Sequence, residues 1–189
     1  MPIDPCITLK IHIPESEGWN ESQERFVYIQ DTTITLEHSL VSVAKWEARH
    51  KKPFLDRKPK TDDEMLDYIK CMTIEPDIPD NSYVGLTAED IKQINAYIND
   101  PMTGTTFYNW KPNKTRRNIE IETAEVIYWE MIQCEIPIEW EHRHFNQLRT
   151  LIQVCMLKNQ KNDAMPASEI RKMNHELNAA RRAKYHSKG

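Results

Sequence analysis

The spacing of apolar residues changes period along this chain. Residues 7 to 13, Ile-Thr-Leu-Lys-Ile-His-Ile, alternate apolar and polar, as a half-buried strand does, and Pro14 ends the run. Arg25 to Ile29 predicts a second short strand, and Thr32 to Leu36 a third strand or an extended lead-in. Glu15 to Glu24 is polar, contains Gly18 and reads as a connecting loop too long for a tight hairpin. Strands 7–13 and 25–29 are therefore expected to pair antiparallel. A sheet this small is marginal alone and must lie on helices.

From Leu36 the period becomes helical. Leu36, Leu40, Val43, Ala44 and Trp46 share one stripe, which stops before Lys52-Pro53. Thr61-Asp-Asp-Glu64 is a capping box, in which hydroxyl and carboxylate satisfy free N–H groups at a helix start. The helix it opens turns Met65, Leu66, Tyr68, Ile69 and Met72 inward. Ile74 to Leu86, with two prolines and Gly85, reads as a loop. Thr87-Ala-Glu-Asp90 caps a helix with Ile91, Ile94, Tyr97 and Ile98 inward, ended by Asp100-Pro101. Met102 to Arg117 reads as an exposed loop.

The longest apolar stretch, Thr123 to Lys158, predicts two helices meeting at Ile136-Pro137, because Pro137 lacks an N–H and disfavours helical geometry before it. Val126, Ile127, Tyr128, Met131, Ile132 and Cys134 face inward on the first, and Phe145, Leu148, Leu151, Ile152, Cys155 and Met156 on the second. The pair is expected to pack antiparallel and supply most of the core. After a polar hinge, Asn159 to Pro166, a last amphipathic helix is predicted from Ser168 to about Lys184, with Ile170, Met173 and Leu177 on its apolar side. The predicted fold is α+β and helix-dominated. A small N-terminal antiparallel sheet (about 7–36) packs on five or six helices in one domain, 1–163, and 164–189 forms an extended basic helical tail.

Composition adds two points. With 39% hydrophobic and 29% charged residues, the 189-residue chain has a solvated surface and enough apolar residues for a core. Four glycines leave little material for a phosphate-cradling loop. Charge is unevenly placed. From Ala164 onward Arg171, Lys172, Arg181, Arg182, Lys184 and Lys188 face Glu169 and Glu176, a balance of +4. The total of −4 then leaves −8 on the preceding residues. An acidic body with a basic tail points to an electrostatic partner, a sister subunit or nucleic acid.

Chemistry is sparse. The cysteines, Cys6, Cys71, Cys134 and Cys155, are isolated and read as reduced structural thiols. No cationic segment leads into an apolar run and no apolar stretch reaches 18 residues, so neither signal peptide nor membrane span is expected. Glu139, Glu141, His142 and His144 form the densest ligand-like cluster. Two residues apart on a helix, the histidines diverge by roughly 200° and cannot share a metal, so a salt-bridged face is the reading. Asp62, Asp63 and Glu64, and Glu120 with Glu122, lie at helix starts, where the dipole favours anions. No nucleophile, phosphate-loop or dinucleotide motif is present, and neither an enzyme nor a cofactor is expected. Trp46 and Trp129 fall on helical stripes and read as core. Trp110, in a basic loop, and Trp140, among charges, are candidate partner-binding residues, with Arg171, Lys172, Arg181, Arg182 and Lys184 of the tail.

Several blocks carry a resemblance: TLEHSLVSVAKWEARHKKPFL, KTDDEMLDYIKCMT, LTAEDIKQINAYINDPMTGTTF, ETAEVIYWEMI, HFNQLRTLIQVCMLKN and the terminal LNAARRAKYHSKG. In this order they resemble a family of tailed-bacteriophage proteins from Gram-positive hosts, usually labelled tail assembly chaperones. The resemblance implies a protein of the host cytoplasm that binds the long tape-measure protein, covers its apolar faces and helps recruit tail-tube proteins; self-association along that client would fit the acidic-body, basic-tail split. Alternatives are a structural protein of the virion tail or neck and, third, a DNA-binding accessory protein using the tail. Nucleic acid and membrane are not the expected partners.

Overall fold

The computed structural model describes residues 7–20, 24–56, 58–107 and 122–159, together with Arg171 and His175. The architecture is α+β and helix-dominated, with its strands at the N-terminal end. Four strands, β1 (Leu9–Ile13), β2 (Ser16–Asn20), β3 (Arg25–Ile29) and β4 (Thr32–Leu36), precede five helices: α1 (Leu40–His50), α2 (Asp62–Met72), α3 (Ala88–Asn99), α4 (Ala124–Gln133) and α5 (Phe145–Asn159). Two 3-10 turns, Asp80–Gly85 and Ile138–His142, complete the described elements.

The strand pairing differs from the sequence expectation. β1 pairs with β4, Leu9 opposite Leu36 and Ile13 opposite Thr32, while β3 pairs with β2, Ser16 opposite Ile29 and Asn20 opposite Arg25. Both ladders keep one register, since two residues on each strand, Pro14 and Glu15 on one and Gln30 and Asp31 on the other, separate the Ile13–Thr32 pair from the Ser16–Ile29 pair. The four strands are thus one long hairpin interrupted at Pro14, which has no N–H to donate. Burial changes side at the break. Ile11, Ile13, Ile34 and Leu36 are buried in the first half, Val27 and Ile29 in the second. Odd-numbered positions of the returning strand face inward before the break and even-numbered ones after it, so the ribbon buries opposite faces in its two halves.

β2 escaped sequence reading because the positions it sets opposite Ile29 and Val27 are Ser16 and Gly18, which carry no apolar signal. The glycine has a steric reason. A Cβ on Gly18 would lie 2.8 Å from Ile29 Cδ1 and 2.9 Å from Val84 Cγ1. The same crowding recurs at Gly85, where a Cβ would lie 2.7 Å from Ile13 Cγ2. The ribbon and the 3-10 turn Asp80–Gly85 therefore meet almost backbone to side chain.

The helices begin where their capping residues stand. Thr61 and Thr87 close reciprocal boxes with Glu64 and Asp90, and Ser39 does so with Ser42 at the start of α1. α1 is central: it packs on α2, on α4 and on the turn Ile138–His142. Leu40, Val43 and Trp46 are its buried stripe, and Trp46 Nε1 donates to Glu64 O at 2.9 Å. The end of α2 covers the edge of β4, with Glu37 N–H donating to Met72 O and Ile74 N–H to Thr35 O.

The pair 123–158 does not supply most of the core. Ala124, Ile127 and Met131 of α4 and Phe145, Leu148 and Ile152 of α5 are buried, but the ribbon, α1 and α2 contribute most of the largest fully buried side chains. The connection is also longer than expected. α4 stops at Gln133 in a Schellman motif, with Ile136 N–H on Met131 O and Glu135 N–H on Ile132 O, and Glu135 left-handed at φ 54°. The turn Ile138–His142 follows, and α5 begins only at Phe145.

By contacts the chain divides into two compact units, Met1–Gln153 and Val154–Gly189. The expected boundary at 163/164 and most of the predicted helix 168–184 lie outside the described residues. Among the described residues no helix is long and apolar enough to cross a membrane.

Candidate functional site

Two kinds of site emerge, one inside and one outside. Inside, the β4–α1 corner places His38 against Tyr68 of α2, Tyr97 of α3 and His144 just before α5. The rings of His38 and His144 are 4.9 Å apart, edge to face. Ser42 Oγ donates to Ser39 O at 2.8 Å and lies 3.3 Å from the Tyr68 hydroxyl, which is hydrogen-bonded to His38 Nδ1 at 2.5 Å. Tyr97 ties three strands of chain together: its hydroxyl donates to Ile7 O at 2.6 Å and accepts from His38 N–H at 3.0 Å. His144 Nε2 donates to Tyr97 O at 3.1 Å, which leaves its Nδ1 buried and without a hydrogen-bond partner.

Electrostatics follow from that burial. Desolvation, reinforced by the neighbouring His144, lowers His38 to about 3, and desolvation lowers His144 as well. Burial pushes the Tyr68 hydroxyl well above its ordinary range and Tyr97 up to about 12. The cluster is therefore a neutral, closed network that joins β4, α2, α3 and the start of α5. Asn146 extends the joint, its Nδ2 donating to Ile98 O at 2.9 Å and Asp100 O at 2.8 Å, carbonyls the end of α3 leaves unsatisfied.

A second buried polar side chain, Glu47, does comparable work at the other end of α1. Oε1 accepts from Phe54 N–H at 2.7 Å, and Oε2 accepts from Ala124 N–H at 2.8 Å. Thr123 makes no side-chain cap for α4, so Glu47 caps that helix from 77 residues away. An open cleft of about 450 Å³ beside it is lined by Glu47, Lys51, Lys52, Thr123 and Glu125, charges of both signs.

The cluster Glu139, Glu141, His142 and His144, read from sequence as a salt-bridged face, separates. His142 is exposed, with Nδ1 3.1 Å from Glu37 Oε1, whereas His144 turns into the core. Among the described residues no group of three or more histidines, cysteines or acids is arranged to hold a metal. Cys71 is buried, its thiol pushed up to about 11 chiefly by burial, Cys134 and Cys155 are half-buried, and none of the three is in a disulfide.

Outside, large apolar side chains stand in water. On the β2–β3 hairpin Trp19 lies directly opposite Phe26, ring centroids 5.1 Å apart and edge to face, and Tyr28 follows on the same side. Phe26 is 73% exposed. On α4, Trp129 is 56% and Ile132 71% exposed, which corrects the reading of both as core. The inward stripe of α4 is Ala124, Ile127 and Met131; Glu125, Trp129 and Ile132, at i, i+4 and i+7, occupy the other side.

Of the residues singled out from sequence, Trp140 is half-buried in the turn Ile138–His142, with the Arg143 guanidinium 5.7 Å from its ring centroid. Arg171 is helical and exposed. Trp110, Lys172, Arg181, Arg182 and Lys184 lie outside the described residues. The exposed aromatics of the hairpin were missed because Phe26 and Tyr28 alternate with Val27 and Ile29 in an all-apolar run, where periodicity cannot say which side is wet.

Comparisons of the chain with protein families, with curated proteins and with solved structures return no match.

Proposed function

We propose that this chain is a tail assembly chaperone of a tailed bacteriophage, acting in the host cytoplasm by holding the tape-measure protein soluble while tail-tube subunits are recruited. The sequence blocks from Thr35 to Gly189 resemble that family, and the observation that carries the reading is the exposed aromatic face Trp19–Phe26–Tyr28. Rigid aromatics on a paired ribbon offer contact area with little rotamer entropy left to lose. An apolar stripe of a long client helix is the natural occupant, and repeated stripes along such a client would engage many copies. On this reading the protein binds and does not catalyse. Its buried imidazole and phenol groups hold the fold together.

Co-expression with the phage's own tape-measure protein, affinity capture and light scattering test the proposal. A soluble complex with many copies per client, weakened by Phe26→Glu, is expected. Insoluble client, together with recovery of this chain from purified particles, would replace the proposal with a structural protein of the tail or neck.

A further inference from the structure

The acidic charge of the body is concentrated in one stretch. Between residues 122 and 142 stand six glutamates, Glu122, Glu125, Glu130, Glu135, Glu139 and Glu141, and no lysine or arginine. Within the fold Glu122 pairs with Arg149 at 2.9 Å, and Glu141 accepts from the Tyr128 hydroxyl at 2.8 Å. Glu125, Glu135 and Glu139 are exposed. Glu125 shares the outward stripe of α4 with Trp129 and Ile132, and Ile138, also exposed, follows between Glu135 and Glu139. This is an apolar strip fringed by carboxylates. The C-terminal segment has the inverse character: Ile170, Met173 and Leu177 at helical spacing, with Arg171, Lys172, Arg181, Arg182 and Lys184 around them. Arg171 and His175, one turn apart, are both helical and exposed.

We infer that the outward face of α4 receives the basic segment 168–184 of a second copy of this chain. Opposite charges steer the two together, and Trp129 and Ile132 supply the apolar anchors that a rim of carboxylates alone would lack. Donor and acceptor are different surfaces, so the contact is heterologous: each copy that gives its tail still offers its own face. Copies then add head to tail, as a multi-copy coat on a long partner requires, although the contact itself needs no client.

The test uses two full-length variants that each lose one half of the contact. Ile132→Glu spoils the face and keeps the tail; Arg181→Glu/Arg182→Glu/Lys184→Glu spoils the tail and keeps the face. The wild-type chain is expected to associate in light scattering, with the apparent affinity falling on the order of tenfold between low and 0.5 M salt. Each variant alone is expected to be monomeric, and an equimolar mixture to form dimers that go no further, because such a pair has one usable contact. Phe26→Glu, on the hairpin, leaves association unchanged. Trp129→Glu serves as a second face variant, and matched circular dichroism shows that each variant is folded. A wild-type chain that stays monomeric, as a tail folded back on its own body would make it, overturns the inference. So does a mixture of the variants that fails to associate, or a face variant that still self-associates like the wild type.

Discussion

At the scale of single residues, buried polar groups carry the sharpest consequences. Glu47 is one carboxylate accepting two backbone N–H groups from segments far apart in sequence. Hydrogen bonds to charged groups contribute more than neutral ones, and both donors lie where water would have to replace the carboxylate. Glu47→Ala is therefore expected to lower the unfolding free energy in urea by about 3 kcal/mol, and Glu47→Gln, which keeps one acceptor, by about half of that. His38 behaves in the opposite electrostatic sense. Its folded pKa, about 3, lies below the ordinary histidine value of 6.5, so the unfolded chain takes up the proton first as pH falls. Stability from keeping this imidazole neutral is complete above pH 6.5 and is lost as pH drops from there toward 3. Between pH 7 and pH 5 the loss for this one group is about 2 kcal/mol. His144, lowered for the same reason, adds to the slope. Urea titrations at the two pH values measure the loss, and His38→Gln should flatten the dependence. The signal for this pair in the sequence was misleading: His144 stood in a charged run, HRHF, and nothing local said that one histidine of the two turns inward.

At the scale of elements, the strongest features are joints. α4 ends with Glu135 left-handed at φ 54°, a conformation that costs an L-residue roughly 1 kcal/mol and glycine almost nothing. Glu135→Gly is expected to raise thermal stability by up to about 1 kcal/mol without moving the Schellman bonds. The reverse holds at Gly85, where a methyl group would meet the branched Ile13 at 2.7 Å. Ile13 is fully buried and cannot swing away, so Gly85→Ala should cost about 1–3 kcal/mol and speed hydrogen exchange in β1 and β3. The capping boxes at Thr61 and Thr87 were legible because a cap is a local pattern of four residues. The cap of α4 was not, because its acceptor, Glu47, comes from another helix. The ribbon was misread for a related reason. Alternation identified β1, β3 and β4 as strands, but pairing depends on where Pro14 breaks the ladder and on a strand that sets only serine and glycine opposite Ile29 and Val27.

At the scale of the molecule, what is unusual is the apolar surface left uncovered. Phe26 on the ribbon and Ile132 on α4 are each more than two-thirds exposed, and neither supports the core. Replacing either by a polar residue is expected to change stability by no more than about 0.5 kcal/mol. The functional consequences should separate: Phe26→Glu reduces client solubilisation in co-expression and spares self-association, and Ile132→Glu does the reverse. A single substitution that abolished both would show that one surface serves both contacts.

What the sequence determined by itself is the material of the fold: α+β class, three of the four strands, the segments of the five described helices, two of the capping boxes, and the split between an acidic body and a basic tail. These are local or additive properties, readable from a few neighbouring residues or from a count. Tertiary structure alone decided which sides of those segments are buried. Trp129 and Ile132 sit on an apolar helix that could have been buried all round, yet the buried stripe is Ala124–Ile127–Met131, and Trp129 and Ile132 face water. His38 and His144 are 106 residues apart in the chain and meet only because β4, α2, α3 and the start of α5 close around them. Burial is a property of the partner surface as much as of the segment. Hydrophobic periodicity can say that a residue is able to be inside, and the packing of the other elements decides whether it is.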